Sequence, residues 1–388
     1  MSKAIEPLSV AMLTREWPPQ VYGGAGVHVA NLVSALGAIS ELRAQVHCFG
    51  LPRADARAYE LSGPFSRINP AVQALLIDAD MAHELAGVRL VHSHTWYANF
   101  AGHLASKMYR IPHVITAHSL EPLRPWKAEQ LGGGYEISSW VERISYENAA
   151  AIIAVSDGMR SDVLAAYPKV DPNRVITIRN GIDVARFSPK SDPATLQKYG
   201  IAGPFALFVG RITRQKGLAH LLRAWRKVPQ EFTLVLAASS PDEPAIGAEV
   251  EGLVAELQRD HKVIWLKEML SRDELVSLLS AARVFVCPSI YEPLGIVNLE
   301  AMACETAVVA TEVGGIPEVV VPGETGELVT LHENRDRFES ELSATLIRVL
   351  SDESLAHAYG KAGRVRATES FGWDKVAAQT YSLYRSLT

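Results

Sequence analysis

Short β-rich runs alternate with longer helical runs along this chain, and the alternation starts twice. Such a pattern predicts parallel sheets joined by crossover helices. The predicted strands of the first half are Leu8–Leu13, Ala44–Phe49, Leu90–Ser93, His113–Ala117, Ala151–Val155 and Val175–Ile178. Those of the second half are Phe205–Val209, Thr233–Ala237, Val263–Leu266, Val284–Cys287 and Ala307–Ala310. Turn-forming residues cluster between these halves, which predicts a linker at about 180–200.

A length of 388 residues also favours two domains over one. We therefore expect an α/β protein of two Rossmann-like, doubly wound domains, 1–185 and 186–370, facing a central cleft. In such folds the ligand lies at the carboxyl ends of the parallel strands.

Composition narrows the classes of function. The formal net charge is −5, from 38 basic and 43 acidic residues, so nucleic acid is not an expected partner. Neither an apolar signal segment nor a run of roughly 18 to 20 apolar residues is present, so no membrane association is expected. Three widely spaced cysteines, Cys48, Cys287 and Cys304, suit a reducing compartment. These features predict a cytoplasmic location.

The stretch from Pro288 to Ala303 contains two glutamates, Glu292 in a turn with proline and glycine and Glu300 after an apolar segment. If most of the intervening span is helical, a rise of ~1.5 Å per residue separates the carboxylates by up to ~12 Å. A glycoside hydrolase pair needs roughly 5 to 9.5 Å. The spacing instead suits residues that hold two ends of an extended ligand, such as a sugar nucleotide.

Directly after the first strand come Tyr22, Gly23, Gly24, Ala25 and Gly26, which lead into a helix predicted over 27–36. Glycines before a helix let backbone N–H groups approach an anion. The diphosphate of a donor and the phosphate of an acceptor both fit such a turn. Its Gly-Gly-x-Gly pattern differs from the dinucleotide fingerprint, so a dehydrogenase is not favoured.

A second phosphate-binding candidate follows the strand Phe205–Val209. Arg211 and Lys216 lie five residues apart on a turn between a strand and a helix, and both can converge on one diphosphate. Arg214, between them, is interpreted as a surface charge. Two cations here would stabilise a leaving diphosphate without a metal.

Histidines follow two further strands. His118 lies at the carboxyl end of the strand His113–Ala117, where it would face the crevice. His92 and His94 have an i, i+2 spacing that some metal sites use, but no cysteine or acidic residue accompanies them, so zinc is not expected. Thr95 follows at the end of the same strand.

The loop between Leu123 and Tyr135 combines cations with aromatic rings. Arg124 and Lys127 provide positive charge, and Trp126 and Tyr135 provide stacking surfaces. A sugar ring stacks on aromatic faces and a phosphate needs cations, so this mixture favours a sugar phosphate over a neutral glucan.

Together these segments resemble the family 4 retaining glycosyltransferases, in the actinobacterial glycogen-synthase-like branch. The resemblance implies the fold called GT-B, with a nucleotide-sugar domain at 186–370 and an acceptor domain at 1–185. It also implies that a last helix, 371–388, packs back on the first domain. Gly314 and Gly315 lie where the family makes backbone contacts to the nucleotide base or sugar.

The resemblance also implies roles for particular residues. Glu292, His118, Arg211 and Lys216 would be the catalytic set, with Glu292 and His118 on the transferred sugar and the two cations on the donor phosphates. The further donor-binding residues would be Gly24, Gly295, Ile296, Val297 and Glu300, the last on the ribose. The acceptor-binding residues would be Tyr22, Gly23, Thr95, Arg124, Trp126, Lys127 and Tyr135.

The implied reaction transfers glucose from ADP-glucose, or UDP-glucose, to α-glucose 1-phosphate with retention, through an α-1,4 linkage, and needs no metal or other cofactor. A glycogen synthase that elongates an α-glucan is the alternative, although Thr95 stands where related glycogen synthases often carry an aspartate. A sugar-nucleotide epimerase, another family 4 transferase and a non-catalytic nucleotide-sugar binding protein also remain open. Exposed aromatics such as Trp140 and Trp373 would line a homodimer interface or pack internally.

Overall fold

A computed structural model describes residues 6–21, 23–124 and 132–388. The chain divides into two compact units. The first unit comprises Met1–Gly181 with Trp373–Thr388, and the second comprises Ile182–Gly372. The boundaries predicted from the sequence, 185/186 and 370/371, lie four residues after the first of these divisions and two residues before the second. No helix within the described residues is long and apolar enough to cross a membrane.

The described part of the first unit has a parallel sheet of seven strands in the order β3-β2-β1-β4-β5-β6-β7. These strands are β1 Leu8–Thr14, β2 Leu42–Phe49, β3 Arg57–Tyr59, β4 Leu90–His94, β5 His113–Ala117, β6 Ala151–Ala154 and β7 Val175–Thr177. Its helices are α1 Gly24–Leu36, α2 Pro70–His83, α3 Trp96–Tyr109, α4 Gly134–Asn148 and α5 Asp157–Ala166, with 3-10 turns at Gly63–Arg67, Glu121–Leu123 and Pro172–Arg174.

The second unit repeats the architecture with six parallel strands in the order β10-β9-β8-β11-β12-β13. These are β8 Phe205–Ile212, β9 Thr233–Pro241, β10 Val263–Leu266, β11 Val284–Cys287, β12 Ala307–Thr311 and β13 Gly326–Val329. The helices are α6 Pro193–Lys198, α7 Leu218–Trp225, α8 Pro244–Leu257, α9 Arg272–Ala281, α10 Ile296–Ala303, α11 Ile316–Val319, α12 Arg335–Ser351 and α13 Glu353–Ser370, with a 3-10 turn at Arg214–Lys216. The last helix, α14 Trp373–Leu387, belongs to the first unit.

Strand β1 shows why the first sheet is covered on both faces. Its alternate residues enter different cores: Val10 and Met12 join a cluster that includes helix α14, whereas Ala11 and Leu13 join one built with helices α2 and α3. Parallel strands buried on both faces are typical of doubly wound folds. The α/β, doubly wound fold predicted from the sequence is therefore confirmed in each unit.

In each unit the strand order reverses at one point, between β1 and β4 and between β8 and β11. Open α/β sheets bind ligands at the carboxyl ends of strands beside such a reversal. The glycine turn follows β1, Thr95 follows β4, the Arg211–Lys216 segment ends and follows β8, and Glu292 follows β11. The sheet topology thus places the predicted site segments at the expected edges of the two sheets.

Candidate active site

A largely buried ion pair forms the centre of the second unit's site. The Lys216 Nζ lies 2.6 Å from the Glu292 Oε2, and the two side chains are 21% and 10% exposed. Ser289 Oγ donates to the same carboxylate oxygen at 3.1 Å. Burial alone would lower the pKa of the Lys216 ammonium, but the Glu292 carboxylate outweighs that effect and raises the pKa above its usual value. Lys216 therefore stays charged at physiological pH.

Two glycines allow the backbone segments around this pair to approach closely. A Cβ at Gly217, where φ is +64°, would lie 1.9 Å from the Pro288 carbonyl oxygen. A Cβ at Gly314 would lie 2.0 Å from the carbonyl oxygen of Glu292, which also accepts the Gly315 N–H at 3.0 Å. The segment carrying Lys216 and the Gly314–Gly315 turn therefore both pack against the turn that carries Glu292.

The Arg211 side chain is paired with a carboxylate. Its Nη1 lies 3.1 Å from both carboxylate oxygens of Asp242, at the end of β9. Arg214 lies 3.7 Å from the Glu243 carboxylate, half exposed, as expected of a surface charge. The sequence analysis missed Asp242, because Asp242 lies 31 residues from Arg211 and only the pairing of β8 with β9 brings the two side chains together.

Helix α10 presents its N-terminus next to the ion pair. Gly295 is its N-cap with φ of +91°, and the helix begins at Ile296. The N–H groups of Ile296 and Val297 lie in the first turn, where a helix offers no carbonyl partner. Because the helix begins only at Ile296, about half of the span between Glu292 and Glu300 is helical, and the ~12 Å estimate made for a mostly helical span does not apply.

Glu300 lies one turn into α10 and has an altered acidity. Burial raises the pKa of its carboxyl group to about 7, and Lys216 partly opposes the shift. A carboxyl group with this pKa is half ionised near neutral pH, so its capacity to accept two hydrogen bonds from a diol depends on pH.

The glycine turn of the first unit differs from the prediction in one respect. Helix α1 begins at Gly24, three residues before the predicted start, with Gly23 as its N-cap. The Gly23 N–H donates to the Glu16 carboxylate at 2.8 Å, and a Cβ at Gly26 would lie 2.6 Å from the same carboxylate. Glu16 is a partner of the glycine turn that the sequence analysis did not assign, although its position between the first strand and the glycines was a usable signal.

Histidine rings cluster at the carboxyl ends of β4 and β5. His94 Nδ1 lies 3.1 Å from His118 Nε2, and the ring of His28, on α1, packs edge-on against His118 with centroids 4.7 Å apart. Burial, reinforced by neighbouring histidines, lowers the pKa of His94 and of His118 well below the usual value. Both rings are therefore neutral at physiological pH.

Among the described residues, His28, His94 and His118 have ring nitrogens within 4.8 Å of one another, close enough to ligate one metal ion. Histidine ligands almost always donate their second ring N–H to a carboxylate or carbonyl. His94 Nε2 is instead buried without a hydrogen-bond partner. The cluster therefore has the ligand count of a metal site but lacks part of the outer shell.

Thr95 has a strained backbone. It is the N-cap of α3 with φ of +63° and ψ of 160°, which is an outlier for a β-branched residue, and its hydroxyl is buried without a hydrogen-bond partner. Such a conformation costs roughly 1 to 3 kcal/mol and is concentrated at functional sites. The geometry therefore supports a functional reason for Thr95.

The predicted acceptor residues are only partly described. Arg124 Nη1 donates to Ser119 Oγ at 3.1 Å, and the Tyr135 hydroxyl donates to the Glu121 carbonyl at 2.8 Å. Three other predicted acceptor residues, Tyr22, Trp126 and Lys127, lie outside the described residues.

The two exposed aromatics that the sequence singled out differ in their surroundings. Trp373 packs internally, with its ring 5.3 Å from that of His28 and against Gly181. Trp140 is 40% exposed and contacts Phe100.

Comparison with known proteins agrees with these features. The model of Glycosyltransferase Family 4 matches residues 22–186, and that of Glycosyl transferases group 1 matches residues 194–366. The alpha-maltose-1-phosphate synthase of Mycolicibacterium smegmatis is 51% identical over 388 residues, which cover 98% of this chain and 100% of that protein. A glycogen synthase of Mycobacterium tuberculosis is 28% identical over 424 residues, with 97% of this chain and 94% of that protein covered.

Among solved structures, sucrose-phosphate synthase from Thermosynechococcus elongatus matches with a TM-score of 0.80 and 26% identity, over 98% of this chain and 99% of that one. The likeness extends across both units. Together with the two Rossmann-like sheets and the 51% identity over nearly the full length, this likeness shows that the chain is a hexosyltransferase of the GT-B fold. The chain belongs to the family 4 glycosyltransferases, in their glycogen-synthase-like branch.

Proposed function

We propose that this enzyme transfers glucose from ADP-glucose to α-glucose 1-phosphate with retention and forms α-maltose 1-phosphate for α-glucan synthesis. The observation that carries the proposal is the 51% identity, over 98% of the chain, to an alpha-maltose-1-phosphate synthase. The positions of the site segments at the ends of β1, β4, β8 and β11 support it.

The donor diphosphate would bind the second unit without a metal. Lys216 stays cationic beside Glu292, and the N–H groups of Ile296 and Val297 open helix α10. A helix N-terminus and a cation both favour an anion that gains charge as its bond to glucose breaks. Arg211 would join them by exchanging its Asp242 partner for a phosphate oxygen.

Retention follows from front-face transfer in this proposal. The bond between glucose C1 and the diphosphate oxygen breaks, and a bond from C1 to the acceptor 4-oxygen forms on the same face. The acceptor proton passes to the departing diphosphate, so ADP leaves and no enzyme nucleophile is required. The Oε2 of Glu292 already accepts hydrogen bonds from Lys216 and Ser289. Glu292 would therefore hold glucose hydroxyls with its other carboxylate oxygen, Oε1.

The proposed role of His118 fixes its tautomer. If Nδ1–H donates to a glucose hydroxyl, the neutral ring has a lone pair at Nε2. That lone pair then accepts the Nδ1–H of His94 across the 3.1 Å contact. The remaining His94 Nε2 carries a lone pair, so the buried atom without a partner is an acceptor and not a donor.

The acceptor phosphate would bind in the first unit. Arg124 is the described cation of the predicted acceptor loop, and Gly23, the described acceptor residue of the glycine turn, is the N-cap of helix α1. Lys127 and Trp126 would complete this site, with the charge and the stacking face that a sugar phosphate needs. A resemblance to glycogen synthase favours an α-glucan acceptor as the second candidate.

The deciding experiment incubates the purified enzyme with ADP-glucose and either α-glucose 1-phosphate or glycogen, and identifies the carbohydrate product by NMR. We expect an α-1,4-linked disaccharide phosphate and ADP as products, formed at the same rate with and without EDTA. Glucan elongation without that product would establish the second candidate. UDP-glucose in a parallel reaction tests the nucleotide preference.

A pair of arginine substitutions tests the assigned acceptor site. Arg124→Ala removes the described cation, so the KM for α-glucose 1-phosphate should rise at least tenfold, which corresponds to about 1.4 kcal/mol. Arg214→Ala, a surface cation of the other unit, is the control and should leave that KM unchanged. An Arg124→Ala variant with normal acceptor KM would contradict the assigned acceptor site.

A further inference from the structure

Two buried glutamates lie behind the segment that runs from His118 to Arg124. Glu121 opens the 3-10 turn Glu121–Leu123 and is 1% exposed, and Glu142, on α4, is 2% exposed. None of the proposed catalytic steps uses either carboxylate. Buried carboxylates are costly unless hydrogen bonds satisfy them, so their retention here needs a reason.

Glu142 holds the start of this segment. Its Oε1 accepts the backbone N–H of Glu121 at 2.8 Å and also accepts the hydroxyl of Tyr167. Burial, reinforced by the Glu142 carboxylate, raises the pKa of Tyr167, so the phenol keeps its proton and remains a donor. Glu142 therefore ties the first residue of the turn to helices α4 and α5.

Glu121 connects both sides of the acceptor loop. Ser138 Oγ donates to its Oε2 at 2.7 Å, and the Tyr135 hydroxyl donates to its carbonyl oxygen at 2.8 Å. Tyr135 and Ser138 follow residues 125–131 in the chain, whereas Glu121 precedes them. One buried hydrogen-bond network thus fixes the points at which the chain enters and leaves this loop.

We propose that Glu142 is a positioning residue for the acceptor: through the Glu121 N–H it sets the place of the segment that carries Arg124, and so the affinity for a phosphorylated sugar. This inference rests on the proposed function, which assigns Arg124 to the acceptor phosphate. Small displacements of binding groups cost large factors in rate or affinity, so the effect should appear in the acceptor KM.

The test compares Glu142→Ala, Glu142→Gln and Tyr167→Phe by steady-state kinetics with ADP-glucose and α-glucose 1-phosphate. Alanine removes the carboxylate oxygen to which the Glu121 N–H donates. The KM for α-glucose 1-phosphate should therefore rise about tenfold, while the KM for ADP-glucose changes less than twofold. Glutamine keeps an oxygen that accepts, so the rise should be about threefold or less. Tyr167→Phe, which leaves the Glu121 bond intact, should resemble glutamine.

Asp78→Asn is the matched control, because Asp78 is a buried carboxylate of the same unit that is held by the backbone of Phe100 and Ala101 on helix α3. Thermal unfolding of this variant measures how much stability is lost when a buried acid is altered. An unchanged acceptor KM in Glu142→Ala overturns the positioning role. Equal rises of donor and acceptor KM, as a general distortion of the active site would cause, overturn it too.

Failure of the proposed function is a separate observation, made on the wild-type enzyme, which would then form no disaccharide phosphate. If a glucan is the working acceptor, its KM replaces that of the sugar phosphate. An unchanged glucan KM in Glu142→Ala would then overturn the positioning role as well.

Discussion

At the scale of single residues, the Lys216–Glu292 pair should contribute both to the stability of the fold and to turnover. Removing one partner of a buried pair leaves the other charge uncompensated, at roughly 3 to 5 kcal/mol. Lys216→Ala and Glu292→Ala should each lower turnover by at least a hundredfold. We expect the matched double variant Lys216→Met/Glu292→Gln to recover thermal stability without recovering turnover, because neither charge remains to act on the donor.

Unfolding curves and turnover numbers of the three variants decide this point. Recovery of both properties in the double variant would show that the pair is structural only. Near-normal turnover in either single variant would contradict the site assignment.

The raised pKa of Glu300 predicts a pH dependence. An ionised carboxylate accepts from two ribose hydroxyls, and the carboxyl group loses that capacity as pH falls through about 7. The kcat/KM for the donor should therefore fall about tenfold between pH 8 and pH 6.

Glu300→Gln provides the control, since it keeps one acceptor oxygen and cannot ionise. Its profile should be lower and flat over this range, apart from any slope that titration of the substrate phosphates contributes to both enzymes. An equally steep profile in Glu300→Gln would assign the pH dependence to another group.

At the scale of elements, the predicted strands correspond to eleven of the described ones, and two were missed. The missed strands, β3 Arg57–Tyr59 and β13 Gly326–Val329, have three and four residues and lie at sheet edges, so they carry little periodic signal. The charged partner Asp242 was missed for a different reason. Local sequence shows which residues follow a strand, whereas a carboxylate 31 residues from Arg211 becomes its partner only through strand pairing.

Gly217 allows a test of the close approach between elements. Its left-handed φ of +64° is almost that of Gly200, at +63°, but a Cβ at Gly217 would lie 1.9 Å from the Pro288 carbonyl whereas one at Gly200 would meet nothing within 4 Å. Alanine in this backbone conformation costs roughly 1 to 2 kcal/mol at either position. We expect Gly200→Ala to show that loss alone, with normal kinetics.

Gly217→Ala should lose more stability than Gly200→Ala and also raise the donor KM, because the clash displaces the residue next to Lys216. Denaturant unfolding and donor kinetics measure the two effects. Equal stability loss in both variants would show that the Pro288 segment yields without cost.

At the scale of the whole molecule, the chain passes between the units at Gly181/Ile182 and again at Gly372/Trp373. On the side of the second unit, the Ile182 N–H donates to the Phe371 carbonyl at 2.7 Å. On the side of the first unit, a Cβ at Gly181 would lie 2.7 Å from the Trp373 ring. The two passages are therefore paired, and a side chain at 181 would disturb the start of the last helix.

The last helix, α14, should consequently unfold with the first unit and not with α13, which directly precedes it. Val376, Ala377 and Tyr384 enter the core that contains β1 and α1. The Tyr384 hydroxyl lies 2.5 Å from His92 Nδ1, and Thr116 Oγ lies 2.7 Å from His92 Nε2. Burial lowers the pKa of His92 and raises that of Tyr384, so the ring is neutral and the phenol keeps its proton.

Hydrogen exchange read by mass spectrometry checks this assignment. Peptides from α14 should share the protection of β1 and α1, and Tyr384→Phe should weaken protection in all three by about 1 to 3 kcal/mol, since it leaves the buried Nδ1 of His92 without its hydrogen-bond partner. Peptides from α13 are the internal control and should keep their protection in that variant. Exchange of α14 together with α13, or an equal loss of protection in both helices, would show that the C-terminal helix is not a part of the first unit's cooperative core.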